Sequence, residues 1–328
     1  MLCRTLLVLF AGAVLLGGCT RQTPSAEAAE LAKEIIRTIS DIPRADTLLG
    51  ELRELAKTHP EDAAVREQLA RGLNNAIGLG GADVARTDGL LAELRELAGN
   101  HPENEAIRKW LASGLNNAIV HSASEPPRAD GLIDELWAFA EAHPQDAAVR
   151  NSLGMGLSAA IRYGGSDAAR ADFLLERLRE LAGIGPEGTL TPALSQRERE
   201  QEGAVREWLA SGLGHAINYS GPDFARADGL LAELRALAVN SPREGAIRAS
   251  LARSYVWLVE DATQAGDVER AADMAEALVP LREAVLSQPD MMPVFQQAFS
   301  AALELAIEQN NAEVGRRLTT ASKALFGE

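Results

Sequence analysis

The sequence predicts an all-α protein, an α-solenoid in which antiparallel helix pairs are stacked side by side. One type of segment recurs with a period of 42 residues, and apolar residues within it recur at spacings of three and four. Only 4 % of the 328 residues are aromatic. An interior of Leu, Ala, Ile and Val suits closely packed helices better than sheets, in which Val, Thr and aromatic residues are enriched.

A recurring Arg-x-Asp element sets the period. Its aspartates are Asp46, Asp88, Asp130, Asp172 and Asp228, and every interval except the last is 42 residues. The last interval is 14 residues longer, and the surplus falls near residues 189–202, TLTPALSQREREQE. Because turns accept additional residues at low cost, we place this insert in the turn between two helices. Its composition favours insertion of a dispersed repetitive element over selection for a binding loop.

Each unit is predicted to form two helices of roughly 15 residues. In the unit that starts at Ala85, apolar stripes run through residues 90–98 and 107–119. Asp88 is expected at the N-terminus of the first helix, where a carboxylate accepts unpaired backbone N–H groups. His101-Pro102 is expected to end that helix, because proline disfavours helical geometry in the residue before it. Gly80-Gly81 and Gly164-Gly165 are expected to end the second helix in two of the units.

Neither helix buries its apolar stripe alone, so each unit must stack on its neighbours. We therefore assign helical repeats to residues 27–254 and degenerate C-terminal repeats, which cap the open end, to residues 255–328.

The segment P-x-x-x-A-[VI]-R-x-x-L-A-x-G-L, at residues 60–73 and 102–115, is similar to the tetratricopeptide repeat (TPR). That family closes each unit with a proline and places a Leu, a small residue and a bulky residue on its first helix, as at Leu69, Ala70 and Leu73. The unit departs from the family's usual 34 residues. The resemblance therefore implies stacked helix pairs more firmly than it implies a particular superhelix.

Residues 1–18 are predicted to be a bacterial lipoprotein signal peptide. Arg4 precedes an apolar run that is shorter than the ~20 residues that a membrane-spanning helix needs. Leu16-Gly17-Gly18-Cys19 resembles the lipobox, whose cysteine is lipidated and becomes the mature N-terminus; an ordinary signal peptide with an incidental cysteine is the alternative. Cys19 and the polar residues up to 26 would form the lipidated end and a tether.

The lipobox resemblance implies an acylated protein that is anchored in the bacterial envelope and faces the periplasm. Thr20 stands where an aspartate would favour the inner membrane, so family analogy favours the outer membrane. The net charge of −15 argues against nucleic acid as a partner.

The sequence shows no residue pattern that predicts catalysis, a cofactor or a metal site. His59, His101 and His143 recur at one turn, and copies one unit apart would lie on the order of 10 Å from each other, too far to share a metal ion. The repeated Glu-Leu-Arg-Glu stretches are interpreted as exposed ion pairs within one helix. The chain is therefore predicted not to be an enzyme.

The candidate partner-binding residues follow the bulky Leu of one helix in each unit. They are Asn74, Asn75, Asn116, Asn117 and His215. The TPR resemblance implies that this face lines a concave groove, where asparagines bind peptide backbone; an inert polar pair copied by duplication is the alternative. Trp110 and Trp208 share another repeat position, at which packing is favoured over a binding role.

These observations predict a membrane-anchored scaffold that binds a protein partner, as an accessory to an envelope assembly, secretion or pilus complex. The alternative is a lipoprotein that binds polysaccharide or peptidoglycan, which would need aromatic side chains exposed along a groove. An enzyme is the least favoured class.

Overall fold

The computed structural model describes residues 23–38, 41–81, 83–122, 124–165, 167–184 and 196–327, with side chains in the first helix after residue 195 described from residue 203. The predicted signal peptide, Cys19 and residues 189–195 of the predicted insert lie outside the described residues. Within the described ranges every regular element is helical. The all-α prediction is confirmed.

The described ranges contain fifteen α-helices, and short turns join most of them. They are α1 (Pro24–Arg37), α2 (Ile42–Thr58), α3 (Ala63–Leu79), α4 (Val84–Asn100), α5 (Glu105–His121), α6 (Pro126–Ala142), α7 (Ala147–Tyr163), α8 (Ala168–Leu181), α9 (Gln196–Asn218), α10 (Phe224–Asn240), α11 (Gly245–Gln264), α12 (Val268–Leu278), α13 (Arg282–Leu286), α14 (Met292–Glu308) and α15 (Ala312–Phe326). None of these described helices is both long enough and apolar enough to span a membrane.

The helices form two layers. The odd layer contains α1, α3, α5, α7, α9 and α11, each packed against the next. The even layer contains α2, α4, α6, α8, α10 and α12, which pack against the odd helices beside them and make few or no backbone contacts with each other. The short α13 then shifts the order, so that α14 packs on α11 and α15 on α12. This arrangement is the predicted α-solenoid, and α11 spans the predicted boundary at residue 255.

Aspartates cap most of the even helices. Asp41, Asp83, Asp167, Asp223 and Asp267 each accept the backbone N–H of the residue three positions later, at 3.0–3.1 Å. The prediction that Asp88 caps α4 is wrong, because α4 begins at Val84 and Asp83 is its N-cap.

The helix ends agree with the sequence. His59, His101 and His143 are the C-cap residues of α2, α4 and α6. After α3 and α7 the chain turns at Gly81 and Gly165, whose φ angles of +52° and +76° favour glycine.

The apolar stripes form one continuous core between the layers. Leu73, Leu115, Leu157 and Leu213 are fully buried at equivalent positions of the odd helices, and Tyr255 takes this position in α11 at 5 % exposure. Buried side chains continue from α1 to α15 without a break between units. Each unit therefore depends on its neighbours to bury its apolar surface.

Glycine brings consecutive odd helices close together. Gly72, Gly114, Gly156 and Gly212 occupy equivalent buried positions in α3, α5, α7 and α9. A methyl group at Gly114 would lie 3.0 Å from Leu94 Cδ2 of α4 and 3.2 Å from Ile77 Cδ1 of α3. Because glycine has no side chain, α5 packs tightly against both of these helices.

Arginines connect consecutive units across the even layer. Arg86 of α4 donates to Asp46 of α2 at 2.6 Å and to the carbonyl of Ala76 in α3 at 2.8 Å. We call the five equivalent residues the interunit arginines, which pair with the aspartate one unit earlier at 2.5–2.7 Å: Arg86, Arg128, Arg170, Arg226 and Arg270. The Arg-x-Asp element that sets the sequence period is therefore a contact between units.

A second row of ion pairs runs parallel to the first. Its pairs are Arg53–Glu93, Arg95–Glu135 and Arg179–Glu233. The interpretation of these stretches as ion pairs within one helix is confirmed for Arg179, which also pairs with Glu176 at 2.9 Å. It is wrong for Arg53 and Arg95, each of which bonds to the next even helix instead. In the third unit Trp137 replaces the arginine, Arg177 replaces the glutamate, and Arg177 Cζ lies 4.7 Å from the Trp137 ring centroid.

Consecutive helices are thus closer together in the odd layer than in the even layer. Odd helices meet through glycine, whereas even helices are connected by long arginine side chains. Because the even helices lie further apart, the stack curves toward the odd layer. The solvent-facing surface of the odd layer is therefore concave, and we call it the inner face.

The described part of the insert is helical. Helix α9 has 23 residues, whereas α3, α5 and α7 each have 17. Residues 196–202 lengthen α9 at its N-terminus, so the prediction of a turn is wrong for them. The unit-to-unit pairs Arg226–Asp172 and Arg179–Glu233 form across the insert.

Gly114→Ala should destabilise the protein, whereas Gly89→Ala should stabilise it. The added methyl at residue 114 must displace Leu94 and Ile77, and overpacking of this kind costs about 1–3 kcal/mol. Gly89 in α4 has no atom within 4 Å of an added Cβ, so alanine there should gain up to about 1 kcal/mol. Urea unfolding followed by circular dichroism measures both free energies; equal changes would contradict the close packing of odd helices.

Arg86→Ala should lower stability more than Asp46→Ala. The side chain of Arg86 is 12 % exposed and bonds to two helices, whereas that of Asp46 is 47 % exposed. We expect a loss of about 2–3 kcal/mol for the arginine and about 1 kcal/mol or less for the aspartate. Denaturant midpoints measured in parallel test this order, and a larger loss for Asp46→Ala would refute it.

Candidate functional site

The residues of the inner face lie in rows that run along the array, with one residue from each odd helix. We call the central row the inner row; it contains Asn75, Asn117, Ala159, His215 and Trp257. All five side chains are partly exposed. Three of the predicted site residues therefore lie on one line across α3, α5 and α9.

The asparagines form hydrogen bonds between odd helices. Asn75 Nδ2 donates to the carbonyl of Ala32 in α1 at 2.8 Å, and Asn117 Nδ2 donates to Asn74 Oδ1 at 3.2 Å. Asn74 and Asn116 are buried, with exposures of 6 % and 4 %. The predicted pairs thus divide into a buried member and a partly exposed member, and their role toward a partner stays a prediction.

The row of amide bonds stops at α7. Asn74 Oδ1 accepts from Asn117, but the residue that would serve Asn116 one unit later is Ala159. Asn116 Oδ1 is buried and has no hydrogen-bond partner among the described residues. An alanine in the inner row therefore leaves a polar atom of the previous unit unsatisfied, which is unfavourable in a packed interior.

Two further inner-face contacts were not anticipated from the sequence. His121 Nε2 lies 3.2 Å from the carbonyl of Gly78, and Tyr219 Oη donates to the carbonyl of Arg162 at 2.6 Å. The two residues occupy equivalent positions and contact the C-terminal end of the preceding odd helix. Their shared repeat position was the available signal.

Trp110 and Trp208 are partly buried against the core. Trp208 Nε1 donates to Asn151 Oδ1 at 2.8 Å, and an added Cβ at Gly154 would lie 3.0 Å from the Trp208 ring. Helix α9 thus packs its indole on the place where α7 has no side chain. Trp110 has the positive groups of Arg71 and Lys109 at 5.9 and 5.4 Å from its ring centroid.

His215 occupies the inner row in α9, between Ala159 of α7 and Trp257 of α11. Its ring centroid is 6.0 Å from that of Trp257. Burial, together with the positive charges of Arg162 and Arg253, lowers the pKa of His215 to about 4. The imidazole is therefore neutral at pH 7, with one nitrogen that donates and one that accepts.

Both arginines near His215 lack a carboxylate partner among the described residues. Arg253 donates to Gln288 Oε1 at 2.7 Å and to Ser250 Oγ at 3.0 Å. Arg162 Cζ lies 5.0 Å from the centroid of the Tyr163 ring. Burial and the charge of Arg162 lower the pKa of Arg253.

Carboxylates lie at both ends of the same region. Burial, followed by the charge of Glu244, raises the pKa of Glu207, nearer the N-terminal end of α9. Near the C-terminal end of α11, burial raises the pKa values of Glu260 and Asp261, and the charge of Asp261 further raises that of Glu260. In α9 and α11, carboxylates with raised pKa values therefore lie on both sides of the position of His215.

Within the part of the chain that the structure describes, no group of three or more His, Cys, Asp or Glu side chains is placed to hold a metal ion. Comparisons of the chain with protein-family models, with curated proteins and with solved structures give no match. The assignment of the candidate site therefore rests on the positions and contacts of the described residues and not on similarity to a known protein.

Ala159→Asn should restore the missing amide bond. The new Nδ2 would donate to Asn116 Oδ1, and a hydrogen bond of this kind contributes about 1 kcal/mol. As a matched control, Ala138→Asn places the same residue on an exposed site of α6 and should lose about 0.5–0.7 kcal/mol of helix propensity. Thermal unfolding compares the two variants; equal losses would exclude the bond.

His215→Gln should reduce the loss in free energy of unfolding that the protein shows as the pH is lowered below neutral. The unfolded chain protonates this histidine below about pH 6.5, but the folded chain does so only below about pH 4. Stability should therefore fall as pH drops through this window, because the unfolded state binds more protons. Comparison with the wild type isolates His215 from Glu260 and Asp261, whose raised pKa values act in the opposite direction.

The measurement is the free energy of unfolding in urea between pH 4 and pH 7, with His59→Gln in an exposed turn as control. Identical slopes for wild type and His215→Gln would show that the imidazole is not buried in its neutral form.

Proposed function

We propose that this chain is a lipid-anchored, periplasm-facing scaffold that resembles TPR proteins and binds a protein partner on its inner face. The supporting observation is a contrast between repeated contacts and a varied surface. The close-packed glycines and the interunit arginines recur at equivalent positions, while the inner row reads Asn, Asn, Ala, His and Trp. In a stacked array, positions needed for stacking must repeat, whereas positions that face a partner are free to differ.

The inner face also has the form that a bound segment requires. It extends across consecutive odd helices, and the side chains of the inner row are partly exposed. By fold-level analogy the partner belongs to an envelope assembly, secretion or pilus complex. The lipid on Cys19 would hold the array at the membrane, with the outer membrane as the proposed location.

Site-specific crosslinking tests the binding face. A photo-crosslinking residue at Ala159 in the inner row should give adducts with a specific envelope protein, identified by mass spectrometry. The same residue at Ala138, on the exposed side of the even layer, is the matched control. Absence of a specific adduct from Ala159, or equal adducts from both positions, would count against the inner face.

Cys19→Ser tests the anchor independently. If Cys19 is acylated, this variant should leave the membrane fraction, because one or more acyl chains supply the membrane affinity. Incorporation of a labelled fatty acid should be lost in the same variant. Unchanged fractionation would refute the lipid anchor without affecting the scaffold proposal.

A polysaccharide-binding role is the second candidate, because two tyrosines at equivalent repeat positions, at the end of α7 and just after α9, are exposed. Tyr163 and Tyr219 have exposures of 48 % and 36 %, and exposed aromatic rings suit sugar faces. Glycan-array binding that is lost in Tyr163→Ala, but kept in Phe173→Ala on the even layer, would favour this function over protein binding.

A further inference from the structure

The solvent-facing side of the even layer, which we call the outer face, departs from the repeat around α6 and α8. Trp137 of α6 stands where α2, α4, α8 and α10 each have an arginine. Phe173 of α8 replaces a glycine or threonine of the other units, and it is 57 % exposed. Because positions needed for stacking must repeat, stacking alone does not explain these two aromatic residues.

The contacts of Trp137 hold its indole in place on the outer face. Arg177 Cζ of α8 lies 4.7 Å from the centroid of the Trp137 ring and 5.5 Å from that of Phe173. Arg177 also pairs with Asp134 at 2.7 Å, so its charge is balanced within the array. Trp137 Nε1 donates to Glu141 Oε1 at 3.1 Å. The indole is therefore fixed by both α6 and α8.

An open pocket of about 210 Å³ lies beside this indole. Helix α8 has 14 residues, whereas α2, α4, α6 and α10 each have 17, and its last residue forms one edge of the pocket. An apolar cavity of about 150 Å³ holds benzene, so one leucine side chain fits here. The apolar residues of the wall are Trp137, Ala140, Pro144, Leu153 and Leu181.

Carboxylates stand at the rim of the pocket. Glu141 and Glu180 belong to its lining and are exposed, and neither forms an ion pair with another described residue. Arg150, also in the lining, donates through Nη2 to the carbonyl of Leu181 at 2.8 Å. Two carboxylates against one guanidinium group give the lining a net negative charge, which attracts cationic groups.

We propose that this pocket binds a partner protein through one apolar side chain of the size of leucine, flanked in the partner by lysine or arginine. The apolar side chain enters beside Trp137, and the flanking cations contact Glu141 and Glu180. Burial of the apolar side chain supplies the affinity, and the charges at the rim select a basic segment over an acidic one. The outer face thus has a docking surface that is separate from the inner face.

The test uses the full chain in detergent and three pentapeptide amides that carry the same N-terminal dye. They are GKLKG, its serine analogue GKSKG and its neutral analogue GQLQG, and fluorescence anisotropy measures each dissociation constant. GKSKG should bind about tenfold more weakly than GKLKG, because it lacks the apolar side chain. Glu141→Gln together with Glu180→Gln should weaken GKLKG binding about fivefold and leave GQLQG binding unchanged.

Trp137→Arg together with Arg177→Glu tests the location of the site. The two changes recreate the arginine–glutamate pair of the neighbouring units, so the array should stay folded by circular dichroism while GKLKG binding falls about tenfold. Glu96→Gln together with Glu103→Gln is the matched control for charge. Both residues are exposed and lie outside the pocket, so this variant should bind GKLKG as the wild type does.

Three results would overturn the proposal: equal affinities for GKLKG and GKSKG, unchanged GKLKG affinity after loss of Glu141 and Glu180, or wild-type binding without Trp137. The two carboxylates are exposed, so their variant decides the question even if Trp137→Arg with Arg177→Glu does not fold. Binding that appears only after deletion of residues 189–195 would assign the pocket to the chain's own segment and exclude the partner.

This inference and the proposed function fail separately. If the crosslinker at Ala159 gives no specific adduct but GKLKG binds as expected, the inner-face scaffold is refuted and the pocket on the outer face stands. A specific adduct at Ala159 with no GKLKG binding has the opposite meaning.

Discussion

The array depends on the interunit arginines, each of which bonds to the aspartate of the preceding unit. Arg86 belongs to α4, contacts a carboxylate of α2 and reaches the carbonyl of Ala76 in α3. One side chain thus fixes the tilt of a helix pair against the pair before it. Because the arginine stem is mostly buried while the aspartate is half exposed, the contact combines packing with a charge-assisted hydrogen bond. The same geometry repeated along the chain sets the curvature that creates an inner face.

Much of the fold followed from the sequence, because its determinants are local. The apolar period, the histidine before each proline and the paired glycines define where helices begin and end without reference to neighbouring units. The functions of Asp88, Arg53 and Arg95 were misassigned for the opposite reason. Their partners lie about 40 residues away in the next unit, for example Arg128 for Asp88, and single-helix patterns contain no information on that distance.

The candidate site was only partly predictable. Asn75, Asn117 and His215 could be aligned by repeat position, and the structure places them on one row. The hydrogen bond from the Asn75 amide to the carbonyl of Ala32 requires a small separation between odd helices. The sequence pattern alone does not give that separation. The contact between the rings of His215 and Trp257 joins α9 to α11, and the pattern of either helix alone does not predict it.

The unequal connections of the two layers have a mechanical consequence. Van der Waals contacts at glycine resist any change in the spacing of odd helices, whereas ion pairs between long side chains stretch and re-form at small cost. When the array bends, the spacing of the odd helices on the concave side should therefore stay constant. The spacing of the even helices on the convex side should change. Added salt weakens solvent-exposed ion pairs but not glycine packing, so ionic strength would change the radius of the arc without changing the spacing along its inner edge.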